Sequence, residues 1–279
     1  MSSQNLLPGL IDRFENNTAT VTELRVGIFA PIEKISANST IYKDFIKNNR
    51  KRKLTTPWGE VTVKGNILTQ IHRDIIDAIM SIGTIEKTDN NNFMISFIGA
   101  ELLRYLGKSP KNHTWLKKIL DELKTTNIEY TDKKGNSIDF NISSAGGYSS
   151  QKGVFVVMLT ESYVKFYEQE VVVNYKQEIP QLIKVDDALV KAIIRFFFTH
   201  ANKVSFNLEK LLDTLGYPVN AASLKTAKKK MRDHTQTLKD FGIIFDKSYK
   251  VTYSKREGVT HSLSKVKKTL MEEGSKTSS

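Results

Sequence analysis

The chain has 279 residues, 42 Lys+Arg against 30 Asp+Glu for a formal net charge of +12, and no cysteine. Hydrophobic residues make up 39% and charged residues 26%; these are globular proportions rather than those of a disordered or membrane protein, and the length predicts one large or two medium domains. The lack of cysteine excludes disulfide frameworks, Cys-based zinc ribbons, iron–sulfur ligation and thiol catalysis, while an isoelectric point near 9.5 points to a polyanionic partner, either nucleic acid or an anionic membrane.

Residues 1–22 read as an N-terminal leader. Met1–Asn17 has no basic segment followed by an apolar one, so no signal peptide is expected. The longest apolar stretch, Ala192–Phe198, contains Arg195 and falls far short of the roughly 18 residues that span a bilayer. No lipidation motif is present. The expectation is a soluble cytoplasmic protein, nucleoid- or plasmid-associated, with no membrane partner. Next comes a basic run in which five of the seven residues from Lys47 to Lys53 are basic. Nothing in it is apolar, so it reads as a loop or arm. Arg50, Lys51 and Arg52 suit phosphate contacts as well as they suit a solvated loop.

An internal repeat follows. Residues 95–107 align without a gap on 204–216 at an offset of 109, with 6 of 13 positions identical: Ser96/Ser205, Phe97/Phe206, Leu102/Leu211, Leu103/Leu212, Leu106/Leu215 and Gly107/Gly216. The three leucines form one apolar helical stripe, and each glycine suits a left-handed C-cap. An amphipathic helix precedes each copy, marked by Leu68, Ile71, Ile75, Ile79 and Ile82 in the first and by Leu189, Ile193, Phe196 and Phe197 in the second. Downstream, Leu123–Ile128 matches Leu238–Ile243. Each piece closes a further helix and opens a β-rich pair. In the first copy Ile128–Tyr130 and Ser137–Ile142 flank a turn at 132–136. In the second, Ile243–Tyr253 and Val259–Leu263 flank Lys255-Arg256-Glu257-Gly258. Ser143–Gln151, with Gly146 and Gly147, reads as a flexible loop.

The order helix, strand, helix, turn, helix, hairpin predicts an α+β protein of two tandem winged-helix domains. Each is a helix-turn-helix with a β-hairpin wing, and a pseudo-twofold internal repeat relates them. The expected divisions are 23–168, a linker at 169–181, 182–265, and a flexible tail at 266–279.

The third helix of each unit is the candidate for a DNA major groove. In the second unit it is expected at about 222–241. Leu224, Ala227, Met231, His234, Leu238 and Phe241 mark its buried face, and Lys225, Lys229, Arg232, Gln236 and Lys239 lie opposite, flanked by Lys228. In the first unit it is expected at about 110–126, opened by Ser109 and Pro110. Leu116, Ile119, Leu120 and Leu123 would bury, leaving Asn112, His113, Thr114, Lys117, Lys118 and Lys124 for contact. Asp121 and Glu122 dilute the charge there. Wing contacts are expected from Lys133 and Lys134 and from Lys255 and Arg256. The charge is uneven: residues 1–179 hold 23 basic and 20 acidic residues (net +3), and 180–279 hold 19 and 10 (net +9).

The duplicated pattern resembles plasmid replication initiators, and the N-terminal part is similar to the TrfA type. The residues that carry this are Glu23–Phe29, the run Arg50–Lys53, Trp58–Gly65, and the helix from Leu68-Thr69-Gln70 through Asp74–Ile79. The resemblance spans about residues 23–263. It implies binding to direct repeats (iterons) of an origin, opening of adjacent A·T-rich DNA, recruitment of the host helicase and initiator, autorepression and homodimer formation. TrfA-type initiators also carry a sliding-clamp peptide; Gln4–Leu7 and Leu10–Phe14 match it only loosely, and an amphipathic leader helix is the plainer reading.

Enzymatic alternatives fare poorly. Rolling-circle nicking needs a His-x-His metal pair and a nucleophilic tyrosine. His72, His113, His200, His234 and His261 are never two apart, and Tyr163 and Tyr167 read as helix aromatics. No P-loop, H-E-x-x-H or G-x-S-x-G motif occurs. No enzyme activity, metal or cofactor is expected. The remaining alternative to the initiator is a winged-helix repressor or partition-type DNA binder without melting activity. RNA binding is disfavoured because the aromatics fall in core periodicity.

Overall fold

A computed structural model of the chain describes residues 18–56, 59–88 and 93–262. The Gln4–Phe14 stretch, Trp58 and the 266–279 tail lie outside the described residues. The fold is mixed α+β, and every strand pairing named below is antiparallel.

In chain order, β1 (Ala19–Thr20) and α1 (Val21–Arg25) lead to α2 (Thr40–Lys47) and the hairpin β2 (Lys51–Thr56) and β3 (Gly59–Lys64). Next come α3 (Gln70–Ile82), β4 (Thr84–Lys87), β5 (Phe93–Ile98), α4 (Gly99–Tyr105) and α5 (His113–Thr125). They are followed by β6 (Asn127–Asp132), β7 (Ser137–Phe140), β8 (Ser143–Ser149), β9 (Val154–Leu159), α6 (Glu161–Gln169) and β10 (Val172–Asn174). After a 3₁₀ turn come α7 (Ile179–Ile183), α8 (Ala188–Phe198), β11 (Val204–Asn207), α9 (Leu208–Thr214) and α10 (Ala221–Asp233). The short α11 (Thr235–Asp240), β12 (Ile243–Phe245), β13 (Lys250–Tyr253) and β14 (Thr260–Ser262) complete the described chain.

The offset of 109 carries α4 onto α9 residue for residue. Both helices end on the same closure. Gly107 (φ +66°) and Gly216 (φ +64°) turn left-handed. Lys108 N donates to Leu103 O at 2.7 Å and Tyr217 N to Leu212 O at 2.9 Å, the longer-range bond of a Schellman cap. Leu102, Leu103 and Leu106 enter one core, and Leu211, Leu212 and Leu215 enter the other.

The strand pairings differ from the sequence expectation in three places. β5 pairs with β9, which pairs with β8, in a four-stranded order β4-β5-β9-β8. The second unit has the order β11-β13-β12. So β8–β9, and not β6–β7, corresponds to β12–β13. Residues 143–149, expected as a loop, form a strand, because β9 (Val-Phe-Val-Val-Met-Leu) offers a strongly β-forming partner. The β6–β7 hairpin instead extends the sheet β2-β3-β6-β7. In the second unit the hairpin turn lies at 246–249, inside the stretch read as one strand. Asp246 Oδ1 closes it by accepting from Ser248 N (2.8 Å) and Lys250 N (3.0 Å). Third, β1, β10 and β14 form a sheet, so residues 172–174 of the expected linker pair with residues 19–20 and 260–262.

The units meet along α3 and α8 through a buried ionic cluster. Arg195 Nη2 lies 2.6 Å from Asp74 Oδ1 and 2.7 Å from Asp77 Oδ2. Arg73 Nη2 lies 2.6 Å from Asp77 Oδ1, and Lys191 Nζ lies 2.5 Å from Asp74 Oδ2. Glu23 approaches Arg73 at 3.4 Å and accepts from Tyr163 OH at 2.9 Å, while Tyr175 OH donates to Asp77 at 2.8 Å. Burial opposes the charge on Arg195, but Asp77 and Asp74 outweigh it and raise its pKa. Arg73 is held likewise, chiefly by Asp77. Pairing of this kind is what makes buried charge tolerable.

Candidate nucleic-acid interface

α10 starts at Asn220, whose side chain accepts from Ser223 N at 2.9 Å. Ala227 and Met231 are fully buried and seat the helix on the second core. Lys225, Lys229 and Arg232 are exposed on the other side. The helix does not run on to 241. It breaks at His234 (φ −110°, ψ 26°), where Thr235 Oγ1 donates to Arg232 O at 2.8 Å and α11 restarts. Gln236 and Lys239 therefore belong to a separate short helix, and the stripe drawn through all five residues ends at Arg232. Both are exposed, with Gln236 Nε2 donating to Asp240 Oδ1 at 2.8 Å.

Two ion pairs anchor the back of α10 to the loop before α8. His234 Nε2 lies 2.8 Å from Asp186 Oδ1, and Lys230 Nζ lies 2.7 Å from Asp187 Oδ2. His234 Nδ1 faces Lys230 O at 3.0 Å. Both ring nitrogens thus meet acceptors, an arrangement that suits the imidazolium. Burial works against that charge, but Asp186 and the Lys230 carbonyl prevail and raise the pKa.

The β12–β13 turn sits beside α10, a relation the sequence reading missed. Tyr249, at φ +59°, stacks on Phe245 with ring centroids 5.6 Å apart. Its hydroxyl accepts from Arg232 Nη1, and its ring lies 5.1 Å from Lys228 Nζ. Lys247 and Lys250 are exposed at this turn. The signal was available: Asp-Lys-Ser-Tyr-Lys between Ile-Ile-Phe and Val-Thr-Tyr is an Asp-initiated turn between β-rich runs.

Lys255 and Arg256, expected at the wing tip, lie after β13. Lys255 is exposed. Arg256 is engaged internally: Nε lies 3.0 Å from Glu178 Oε1, Nη1 donates to Asp240 O, and the guanidinium lies 5.7 Å from the Phe241 ring. Arg256, expected to contact DNA, is instead a structural tie between Glu178, Asp240 and Phe241.

On α5 the helix begins at His113 with Asn112 as N-cap, three residues later than Pro110 suggested, because residues 110–111 form a turn. Asn112, Thr114, Lys117, Lys118 and Lys124 are exposed. His113 is half-buried, with Nδ1 2.9 Å from Tyr148 OH and its ring edge-on to Phe155; it is a packing residue rather than a base contact. Lys118 lies 3.9 Å from Glu122. Lys133 and Lys134 are exposed at the β6–β7 turn, which Asp132 closes by accepting from Lys134 N at 2.8 Å. That hairpin is not the counterpart of β12–β13.

The basic run 50–53 is not a free arm. Lys51–Thr56 is strand β2, paired along its length with β3. Arg50 (φ +56°) donates to Gly65 O at 2.8 Å through Nη2, and Lys51 is exposed. Arg52 is buried. Its Nη1 donates to Gly27 O, and its Nη2 donates to Gly216 O at 3.2 Å. The positive φ favours glycine at 216, and a Cβ there would stand 2.4 Å from Nη2 and displace the Arg52 guanidinium. Burial without a carboxylate partner pushes the Arg52 pKa down to about 10. Arg52, expected to contact phosphate, instead staples the two units through Gly27 and Gly216.

Among the described residues no group of three or more His, Cys, Asp or Glu side chains could hold a metal, and no helix is long and apolar enough to cross a membrane. Tyr163 and Tyr167 are both buried.

No family model matches the sequence, and no curated protein matches it. Among solved structures, the chain is similar to a crystal structure of domains 2 and 3 of RctB. That match has 10% identity and a TM-score of 0.53, covering 87% of this chain and 98% of that one. A second crystal structure of RctB domains 2–3 matches at 12% identity with a TM-score of 0.47, covering 72% of this chain and 88% of that one. The first likeness supports a shared fold. The TrfA-type resemblance rests on the sequence residues alone.

Proposed function

We propose that this protein is a replication initiator that binds duplex DNA sequence-specifically through two tandem winged-helix units. One observation carries the reading. α10 rests on buried Ala227 and Met231, exposes Lys225, Lys229 and Arg232, and lies beside a hairpin turn bearing Lys247 and Lys250. A helix with its basic face outward next to a β-ribbon suits a major groove and the adjoining backbone. The fold likeness to RctB domains 2–3 supports the initiator assignment, since RctB is a replication initiator.

On this reading α10 supplies the principal grip and α5, with Lys118 and Thr114 outward, a weaker one. The target is a set of direct repeats in the origin of a plasmid or similar element. Binding there opens A·T-rich DNA and presents host helicase and initiator proteins, with a homodimer as the repressing form. The protein acts by assembly and DNA deformation, without a catalytic site, in the cytoplasm.

Footprinting on the DNA flanking the gene tests this. The expected result is several evenly spaced protected direct repeats with permanganate-reactive thymines beside them. A single protected palindrome without reactive thymines would instead establish a repressor or partition-type binder.

A further inference from the structure

The side of α5 that faces β8 forms an open groove. Leu120, Phe155 and Val157 line its floor and Lys117 and Lys124 its rim, and it encloses about 230 Å³. Past Lys124 and Ser143 it opens into a wider cleft of about 530 Å³. One wall is β8, which among the described residues is the outermost strand of its sheet and pairs with β9 alone. Its sequence, Ser-Ser-Ala-Gly-Gly-Tyr-Ser, has neither the charge nor the proline that usually blunts an edge.

Two glycines sharpen the case. Gly146 and Gly147 lie in extended strand, and neither has a positive φ. A Cβ on Gly147 would meet nothing within 4 Å, so neither backbone angle nor internal packing requires glycine there. Glycine inside a strand weakens it and often marks a bulge, a bend or a close approach of another backbone; the register shift in β8 falls between Ser143 and Ala145 rather than at the glycines.

We propose that this groove docks an extended peptide of a partner protein, alternating aliphatic and acidic residues, which adds a strand to β8. Backbone pairing along β8 would give affinity. Aliphatic side chains would pack against the half-buried Leu120 above the buried Phe155 and Val157, and acids would meet Lys117 and Lys124. The strand of a second copy fits poorly, because β8 brings no acidic side chain to the groove and Ala145 as its one small aliphatic. A phosphate backbone fits poorly too, because the floor is apolar and Asp121 stands in the wall. The groove is lined by α5, the weaker of the two proposed DNA grips, and not by α10, which supplies the principal one.

The test uses the full chain and a fluorescent peptide of alternating glutamate and valine, about eight residues long, read by anisotropy. A lysine–valine peptide of equal length is the control. The glutamate peptide is expected to bind at least about tenfold more tightly than the control. Gly147→Val should fold, since the added side chain enters open space, and should weaken peptide binding by about tenfold or more. Lys117→Glu with Lys124→Glu should weaken peptide binding likewise, and Gly147→Val should retain the duplex binding due to α10. Equal binding of the two peptides, or unchanged binding by Gly147→Val, overturns the proposal. So does a concentration-dependent dimer that Gly147→Val abolishes, which assigns the edge to a second copy. Loss of duplex binding rather than peptide binding in Gly147→Val overturns it in favour of nucleic acid.

Discussion

The Arg195 guanidinium on α8 lies 2.7 Å from the Asp77 carboxylate on α3, and both side chains are buried. This pair joins the amphipathic helices that precede the repeated segment in the two units. Asp77 also holds Arg73 and accepts from Tyr175. Asp77→Ala leaves two buried guanidinium groups without their shared carboxylate. A loss of about 3–5 kcal/mol is expected in denaturant unfolding. A loss below about 1 kcal/mol would show that the units do not depend on this junction.

Arg52 makes a second link. Arg52→Ala removes hydrogen bonds to Gly27, Ile28 and Gly216, and unfolding should reveal a cost of about 1–3 kcal/mol. Because Arg52 is buried against carbonyl groups, the salt dependence of DNA binding should stay the same. A flatter salt slope in this variant would return Arg52 to the phosphate contacts.

Exposed cations should behave in the opposite way. Lys225→Ala, Lys229→Ala and Lys247→Ala should each weaken binding to all duplex sequences alike and lower the salt slope by about 1. Arg256→Ala should leave the slope alone and lower stability, since Arg256 pairs with Glu178. Titrations across a range of salt concentrations separate the two outcomes.

Two histidines give opposing pH dependences. Burial, with Arg25 nearby, pushes His200 down to about 4, below the roughly 6.5 of an unfolded histidine. Its stabilising contribution is present above about 6.5 and is lost as pH falls towards about 4. His234 is raised instead. Its contribution is present below about 6.5 and is lost as pH rises through its higher folded value. In unfolding followed against pH, His200→Gln should flatten the acid limb. His234→Gln should reduce the decline above about 6.5 and loosen α10. Unchanged profiles would contradict both assignments.

Local signals in the sequence located the helices well and the strand partners poorly. The Leu-Leu-x-x-Leu-Gly repeat reported a capped helix, and both glycines do turn left-handed. Nothing local separates β6–β7 from β8–β9 as the hairpin beside β5, because pairing depends on residues far apart in sequence. β8 also lacks the β-branched residues that signal a strand, and its order comes from β9. The basic run hid Arg52 for a related reason. In a strand alternate side chains point opposite ways, so one cation turned inward while Lys51 and Lys53 stayed out. The ionic cluster was written as i, i+4 pairs, Arg73/Asp77 and Lys191/Arg195, on helices that otherwise read as apolar.

The central claim is that the exposed face of α10 grips duplex DNA. The most direct measurement is anisotropy of a labelled duplex from the DNA flanking the gene, comparing the natural chain with a triple Lys225→Glu, Lys229→Glu and Arg232→Glu variant. Circular dichroism and unfolding would confirm that the variant folds. Loss of binding by the folded variant is the predicted result. Undiminished binding would contradict the account and move the interface away from α10.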